Sequence, residues 1–85
     1  MKYILSYMII KIMQYGNFHS YVRNKRLRIK QSLNSFAVDC GIDSASLSRF
    51  ENGESDILFG TFLRIAKGFK MTPAELLSDF ERNKK

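Results

Sequence analysis

The sequence predicts an all-α domain, a bundle of five short helices behind an apolar N-terminal segment, and three observations predict it. After residue 17 no run alternates apolar and polar residues in the manner of a strand. Apolar residues recur there at helical spacing instead, each stretch opened by a capping residue and closed by a stop. Eighty-five residues, 45% apolar and 13% aromatic, support one packed core and not two domains.

The elements follow in order. Ser20 caps a first helix over Tyr21–Lys30, with Val22 and Ile29 on one side and basic residues on the other. Ser32 caps a second, short helix whose Phe36, Ala37 and Cys40 point inward, and Gly41 ends it in the left-handed conformation. Asp43 caps a third over Ser44–Asn52, with Leu47 and Phe50 inward and Gly53 as its stop. The fourth carries a broad apolar stripe, Leu58, Phe62, Ile65 and Phe69 with Phe59, Leu63 and Ala66 alongside. Gly60 and Gly68 weaken it by about 1 kcal/mol each relative to Ala if they are interior. The fifth has the clearest start: Thr72 caps, Pro73 takes the first helical position and Glu75 completes a capping box. Leu76, Leu77 and Phe80 then bury, and residues 83–85 fray as a tail to a domain of residues 18–82.

Residues 1–17 stand apart. Met1–Tyr15 reads MKYILSYMIIKIMQY, which is shorter than the roughly 20 apolar residues of a membrane span and is interrupted by Lys11. Gln14-Tyr15-Gly16 offers no small-residue cleavage site, so a secretory signal is not expected. Tyr3, Ile4, Tyr7, Ile9, Ile10 and Ile12 favour an extended strand, which would expose backbone and apolar side chains unless it paired. The strand reading is an intermolecular pair that holds a dimer. Its competitors are a disordered leader and a later start at Met8 or Met13.

Composition narrows the functions. One Cys excludes an internal disulfide framework, and one Cys with one His is too few for a structural zinc site. Cys40 lies on an inner helix side and His19 has no evident partner, so no catalytic group is expected, and no cofactor or metal either. The formal charge is +6, and five of the bases crowd between Arg23 and Lys30 without an acid. Such a run is either a solvated helix face or an attraction for a polyanion.

The second and third helices are joined only by Gly41-Ile42-Asp43, a turn short enough to force a sharp crossing. From Ser32-Leu33-Asn34-Ser35-Phe36-Ala37 through Gly41-Ile42-Asp43-Ser44 to Ser46-Leu47-Ser48-Arg49-Phe50-Glu51-Asn52-Gly53, the chain closely resembles the helix-turn-helix of the Cro/CI-type phage repressor family (lambda repressor-like, XRE family). Thr61–Lys67 and Met71–Leu77 look like that family's fourth and fifth helices, so the likeness runs from Tyr21 to about Phe80 and leaves the first twenty residues without a counterpart.

The resemblance implies a five-helix lambda repressor-like bundle whose third helix enters the DNA major groove. Its base-reading positions are here Ser44, Ala45, Ser48 and Arg49. Arg49 can make two hydrogen bonds to guanine, Ser44 can meet a base or a phosphate, and Ala45 can touch only a thymine methyl. Ser46 is expected to cap or pack. Ser32, Asn52 and Arg23 are the phosphate candidates. Arg26 and Glu51 occupy the family's ion-pair positions, so Arg26 belongs to the structure rather than to the DNA face.

Two departures point to weaker backbone anchoring. Leu33 stands where the family commonly has a phosphate-clamping Gln, and the loop after Gly53 reads Glu54-Ser55-Asp56 where the family is often basic.

The expected function is a sequence-specific regulator of double-stranded DNA, a repressor or autoregulator. It would act as a cytoplasmic homodimer on a roughly palindromic operator, in a prokaryote, phage or mobile element. The alternative is an antitoxin or restriction–modification controller of the same fold, with residues 1–15 gripping a protein partner.

Overall fold

Residues 18–83 are described by a computed structural model, and they form five helices. These are α1 (Phe18–Arg28), α2 (Leu33–Cys40), α3 (Ser44–Glu51), α4 (Phe59–Gly68) and α5 (Pro73–Asn83). The expected strand within residues 1–17 and the end of the tail, residues 84–85, lie outside the described residues.

Three of the four connections share one local recipe, a left-handed residue, a linker and a cap. They are Lys30-Gln31-Ser32, Gly41-Ile42-Asp43 and Lys70-Met71-Thr72, with φ of 61°, 75° and 60° at the first residue. In each, the linker N–H donates to a carbonyl five residues back: Gln31 to Arg26 at 3.2 Å, Ile42 to Ala37 at 3.0 Å, Met71 to Ala66 at 2.9 Å. These bonds satisfy carbonyls that a helix end otherwise leaves open. The third residue then starts the next helix. Ser32 Oγ accepts from Ser35 N–H at 3.1 Å, and Asp43 Oδ2 accepts from Ser46 N–H at 3.0 Å. Thr72 and Glu75 close the expected capping box, at 3.1 and 2.8 Å. After α3 the stop is also left-handed, at Gly53 with φ 77°, but the chain then runs on to Leu58.

The core is largely aromatic, and its hub is Phe18. That ring meets Phe80 edge-on at 5.2 Å, Phe62 at 5.5 Å and Phe50 at 6.1 Å, so the first helix touches the third, fourth and fifth through one side chain. Tyr21, Val22, Phe36, Ala37, Cys40, Leu47, Ile65, Ala66 and Leu76 complete the apolar interior.

The structure corrects several boundaries. α1 is already helical at Phe18 because that residue must reach the core, so Ser20 lies within the helix and does not cap it. The helix stops at Arg28, and Ile29 beyond it is 46% exposed rather than grouped with Val22. Asn52 is the terminal cap of α3 and not its last turn. Leu58 precedes α4 in extended backbone and is 62% exposed, while Leu63 at 38% sits on the solvent edge, so the buried stripe is narrower than the periodicity suggests. Leu77, Phe59 and Phe69 pack against the core only in part. Asn83 is still helical, its Nδ2 donating to the Asp79 carbonyl at 2.7 Å.

α5 is tied to α1 by Asp79. Tyr21 Oη donates to its Oδ2, Lys25 Nζ reaches the same oxygen at 3.2 Å, and Arg82 Nη2 lies 3.5 Å from Oδ1. Burial opposes the charge on Asp79, but the Tyr21 and Lys25 hydrogen bonds and the two cations outweigh it and hold the carboxyl below its ordinary range.

Gly68 shows why a helix former was not used there. A Cβ at that position would lie 2.3 Å from Cys40 Sγ and 3.0 Å from the Phe36 ring, so α4 can approach α2 this closely only without one. The same burial, with Asp39 and Glu51 nearby, pushes the Cys40 thiol up to about 12. Gly60 meets nothing within 4 Å.

Gly68→Ala is therefore expected to destabilise by about 1–3 kcal/mol through overpacking, against its better helix propensity. Gly60→Ala should be neutral or stabilising, and denaturant melts of the two variants separate packing from propensity. Asp79→Asn should lower Tm at pH 7. Because the folded pKa of Asp79 is depressed, its contribution is present above the unfolded value near pH 4 and is lost as pH falls through the folded one. The gap in Tm between wild type and variant should shrink below about pH 4.

Candidate nucleic-acid interface

α3 is only eight residues long, too short to be stable on its own, so its placement depends on its ends and its inner face. Leu47, Phe50 and Glu51 are buried. Ser44, Ala45, Ser48 and Arg49 share the outward side, Ala45 and Arg49 exposed and the two serines half-buried.

The inner end is held by charge. Arg26 and Glu51 are each 7% exposed and are the two charged residues in the described interior. Arg26 Nε donates to Glu51 Oε2 at 2.8 Å and Nη2 to Oε1 at 2.9 Å, a two-pronged contact. The remaining Nη1 donates to the Gln31 carbonyl at 2.9 Å. These bonds to Glu51 keep the guanidinium charged against the cost of burial, with its pKa raised. α1, the α1–α2 linker and the end of α3 thus meet at one side chain.

The outer end is held by short polar contacts. Ser46 Oγ donates to Asp43 Oδ1 at 2.8 Å while its N–H donates to Oδ2, and these bonds hold the Asp43 carboxyl below its ordinary range. Arg49 Nη2 lies 3.4 Å from Ser46 Oγ, so Ser46 stands between the cap and the exposed arginine. Ser44 Oγ donates to Asn34 Oδ1 at 2.6 Å, which joins α3 to α2 and leaves the Ser44 oxygen free only to accept. Arg64, on α4, donates from Nη1 to the Gly41 carbonyl at 2.7 Å.

Of the phosphate candidates, Ser32 and Asn52 sit at helix ends and are exposed, Ser32 with its oxygen already accepting from the Ser35 amide. Arg23 is exposed on α1. Leu33 is half-buried against the core, so the position of the family's clamping Gln is turned to packing here. An open groove of about 730 Å³ runs between α3, the 52–58 loop and α4, and Arg49 faces it together with Asp56, Leu58 and Arg64. The acidic loop therefore shares a surface with Arg49.

Asn34 and Arg64 had no signal as functional residues in the sequence. Each acts through a contact between helices that spacing along the chain does not reveal. Among the described residues no group of His, Cys, Asp and Glu could hold a metal ion, and no helix is long and apolar enough to cross a membrane.

Glu51→Ala should cost about 3–5 kcal/mol by leaving Arg26 buried and unpaired, enough to remove most of the stability of a domain this small. The double replacement Arg26→Met/Glu51→Leu should recover much of that loss in thermal melts, since neither charge is then stranded.

A family model described as helix-turn-helix matches residues 22–76, from the second helical turn of the described chain into α5. No curated protein and no solved structure gives a match. The tight α2–α3 corner, its left-handed Gly41 and the outward polar edge of α3 all fall inside the matched stretch. The chain belongs to the XRE, or lambda repressor-like, helix-turn-helix family, whose members are DNA-binding transcription regulators.

Proposed function

We propose that the chain is a repressor or autoregulator that reads a roughly palindromic operator as a homodimer, with α3 in the major groove. The observation that carries this reading is the outward edge of α3. Ser44, Ala45, Ser48 and Arg49 leave one side of a rigidly anchored helix small, polar and cationic. A small edge permits close approach to base pairs, and Arg49 supplies a fork that fits the O6 and N7 acceptors of guanine. Ser32, Asn52 and the amides at the neighbouring helix ends supply phosphate contacts that set the register, with Arg23 adding charge.

One reading helix spans only a few base pairs. Two copies on half-sites about 34 Å apart, one helical turn, supply the specificity that one lacks. Repression then follows from occupying the operator, and the site of action is the cytoplasm of a prokaryote or its mobile elements. A second reading, an antitoxin or restriction–modification controller, is supported by the apolar sequence of residues 1–15, which would suit a grip on a protein partner.

Selection of bound sites from random duplex DNA should return a symmetric consensus. Affinity for the selected site should fall linearly on a log–log plot against salt. Arg49→Ala should relax preference at one base position per half-site by about 1–3 kcal/mol. An equal loss on all sequences would instead make Arg49 a phosphate contact, and an asymmetric single site would remove the homodimer.

A further inference from the structure

The α2–α3 corner is stabilised from within by the left-handed Gly41 and from outside by α4. Two residues of α4, one helical turn apart, act on it. Gly68 lacks the Cβ that would strike Cys40 Sγ, so α4 lies close against the end of α2. Arg64 then reaches past that contact to the corner, where its Nη1 donates to the Gly41 carbonyl at 2.7 Å. The guanidinium also covers the bare side of the glycine, with Nη1 3.8 Å from where a Cβ would stand.

That carbonyl belongs to the first residue of the three-residue turn leading into α3. Its peptide plane sets the direction of Ile42 and of Asp43, the cap on which α3 begins. Glu51 anchors the far end of α3 through Arg26, and the near end is joined to α2 through Ser44 and Asn34. A bond from α4 to the corner fixes the remaining freedom, the angle between the two helices. A charged donor on a neutral carbonyl is among the stronger hydrogen bonds, and it spans elements that are 23 residues apart in the chain.

We propose that Arg64 is a positioning residue for DNA reading, a clamp from α4 that sets the angle at which α3 meets the groove; this rests on the DNA-reading role of α3 proposed above. The clamp commits Nη1 to the protein's own backbone, and a bond that sets the direction of α3 acts on base discrimination rather than on general attraction to phosphate.

The test compares wild type, Arg64→Met and Arg64→Lys by amide hydrogen exchange and by binding to the selected site and to random duplex across a salt series. In Arg64→Met the corner amides of Gly41, Ile42 and Leu47 should exchange faster. Affinity for the selected site should fall about tenfold, the effect of one charge-assisted bond, while affinity for random duplex and the salt slope stay close to wild type. Arg64→Lys, which keeps a charged donor, should restore most of the loss.

An equal fall on both duplexes, with the salt slope reduced by about 0.9, overturns the proposal and makes Arg64 a phosphate contact. Unchanged corner exchange also overturns it, as does faster exchange with unchanged preference for the selected site. If wild type selects no sequence at all, the reading role of α3 fails, and the exchange result separately reports whether the clamp exists.

Discussion

The pair between Arg26 and Glu51 is the constraint on which the rest of the structure turns. It places two opposite charges in an interior otherwise built from aromatic rings and aliphatic side chains. Desolvating them is costly, and only close two-pronged geometry, with the third donor on the Gln31 carbonyl, offsets that cost. Because the geometry is demanding, the pair tolerates little sliding between α1 and α3. A helix of eight residues acquires a defined direction from it.

The same arrangement changes how the basic run between Arg23 and Lys30 is understood. Arg26 faces inward, and Lys25 is drawn to Asp79 and lies 5.4 Å above the Phe69 ring. Arg23, Arg28 and Lys30 remain as the exposed charges of that run. Net charge therefore overstates what α1 presents to a polyanion, and Asp56 in the groove beside Arg49 lowers the local potential further. Attraction is general and modest here, and the proposed reading of bases rests instead on the outward edge of α3 and on what holds that edge in place.

Much of this was legible along the chain where the physics is local. Ser32, Asp43 and Thr72 cap because a short oxygen-bearing side chain can reach an amide three residues on, whatever the fold around it. Gly41 and Gly53 stop helices because their backbone reaches positive φ without strain. Lys30 and Lys70 adopt the same conformation without that advantage, which no local preference forecasts; the turn geometry at those corners imposes it. Phe18 carries no cap or periodic signal of its own, and the apolar periodicity of α4 extends to Leu58, ahead of the true helix start.

The candidate interface divides along the same line. The short Gly41-Ile42-Asp43 link determined by itself that α2 and α3 meet at a tight corner, and the family resemblance, rather than any local rule, pointed to the Arg26–Glu51 pair and to Ser44, Ala45, Ser48 and Arg49 on α3. Caps, stops and helical periodicity depend on neighbours within a few residues, and those neighbours are written in order. Only the tertiary structure decided that Gly68 lets α4 close on α2, that Arg64 reaches the Gly41 carbonyl, that Ser44 bonds Asn34 and that Asp56 shares a groove with Arg49. Those contacts join residues on different elements, and their distances exist only once the shared aromatic core has fixed the helices against one another.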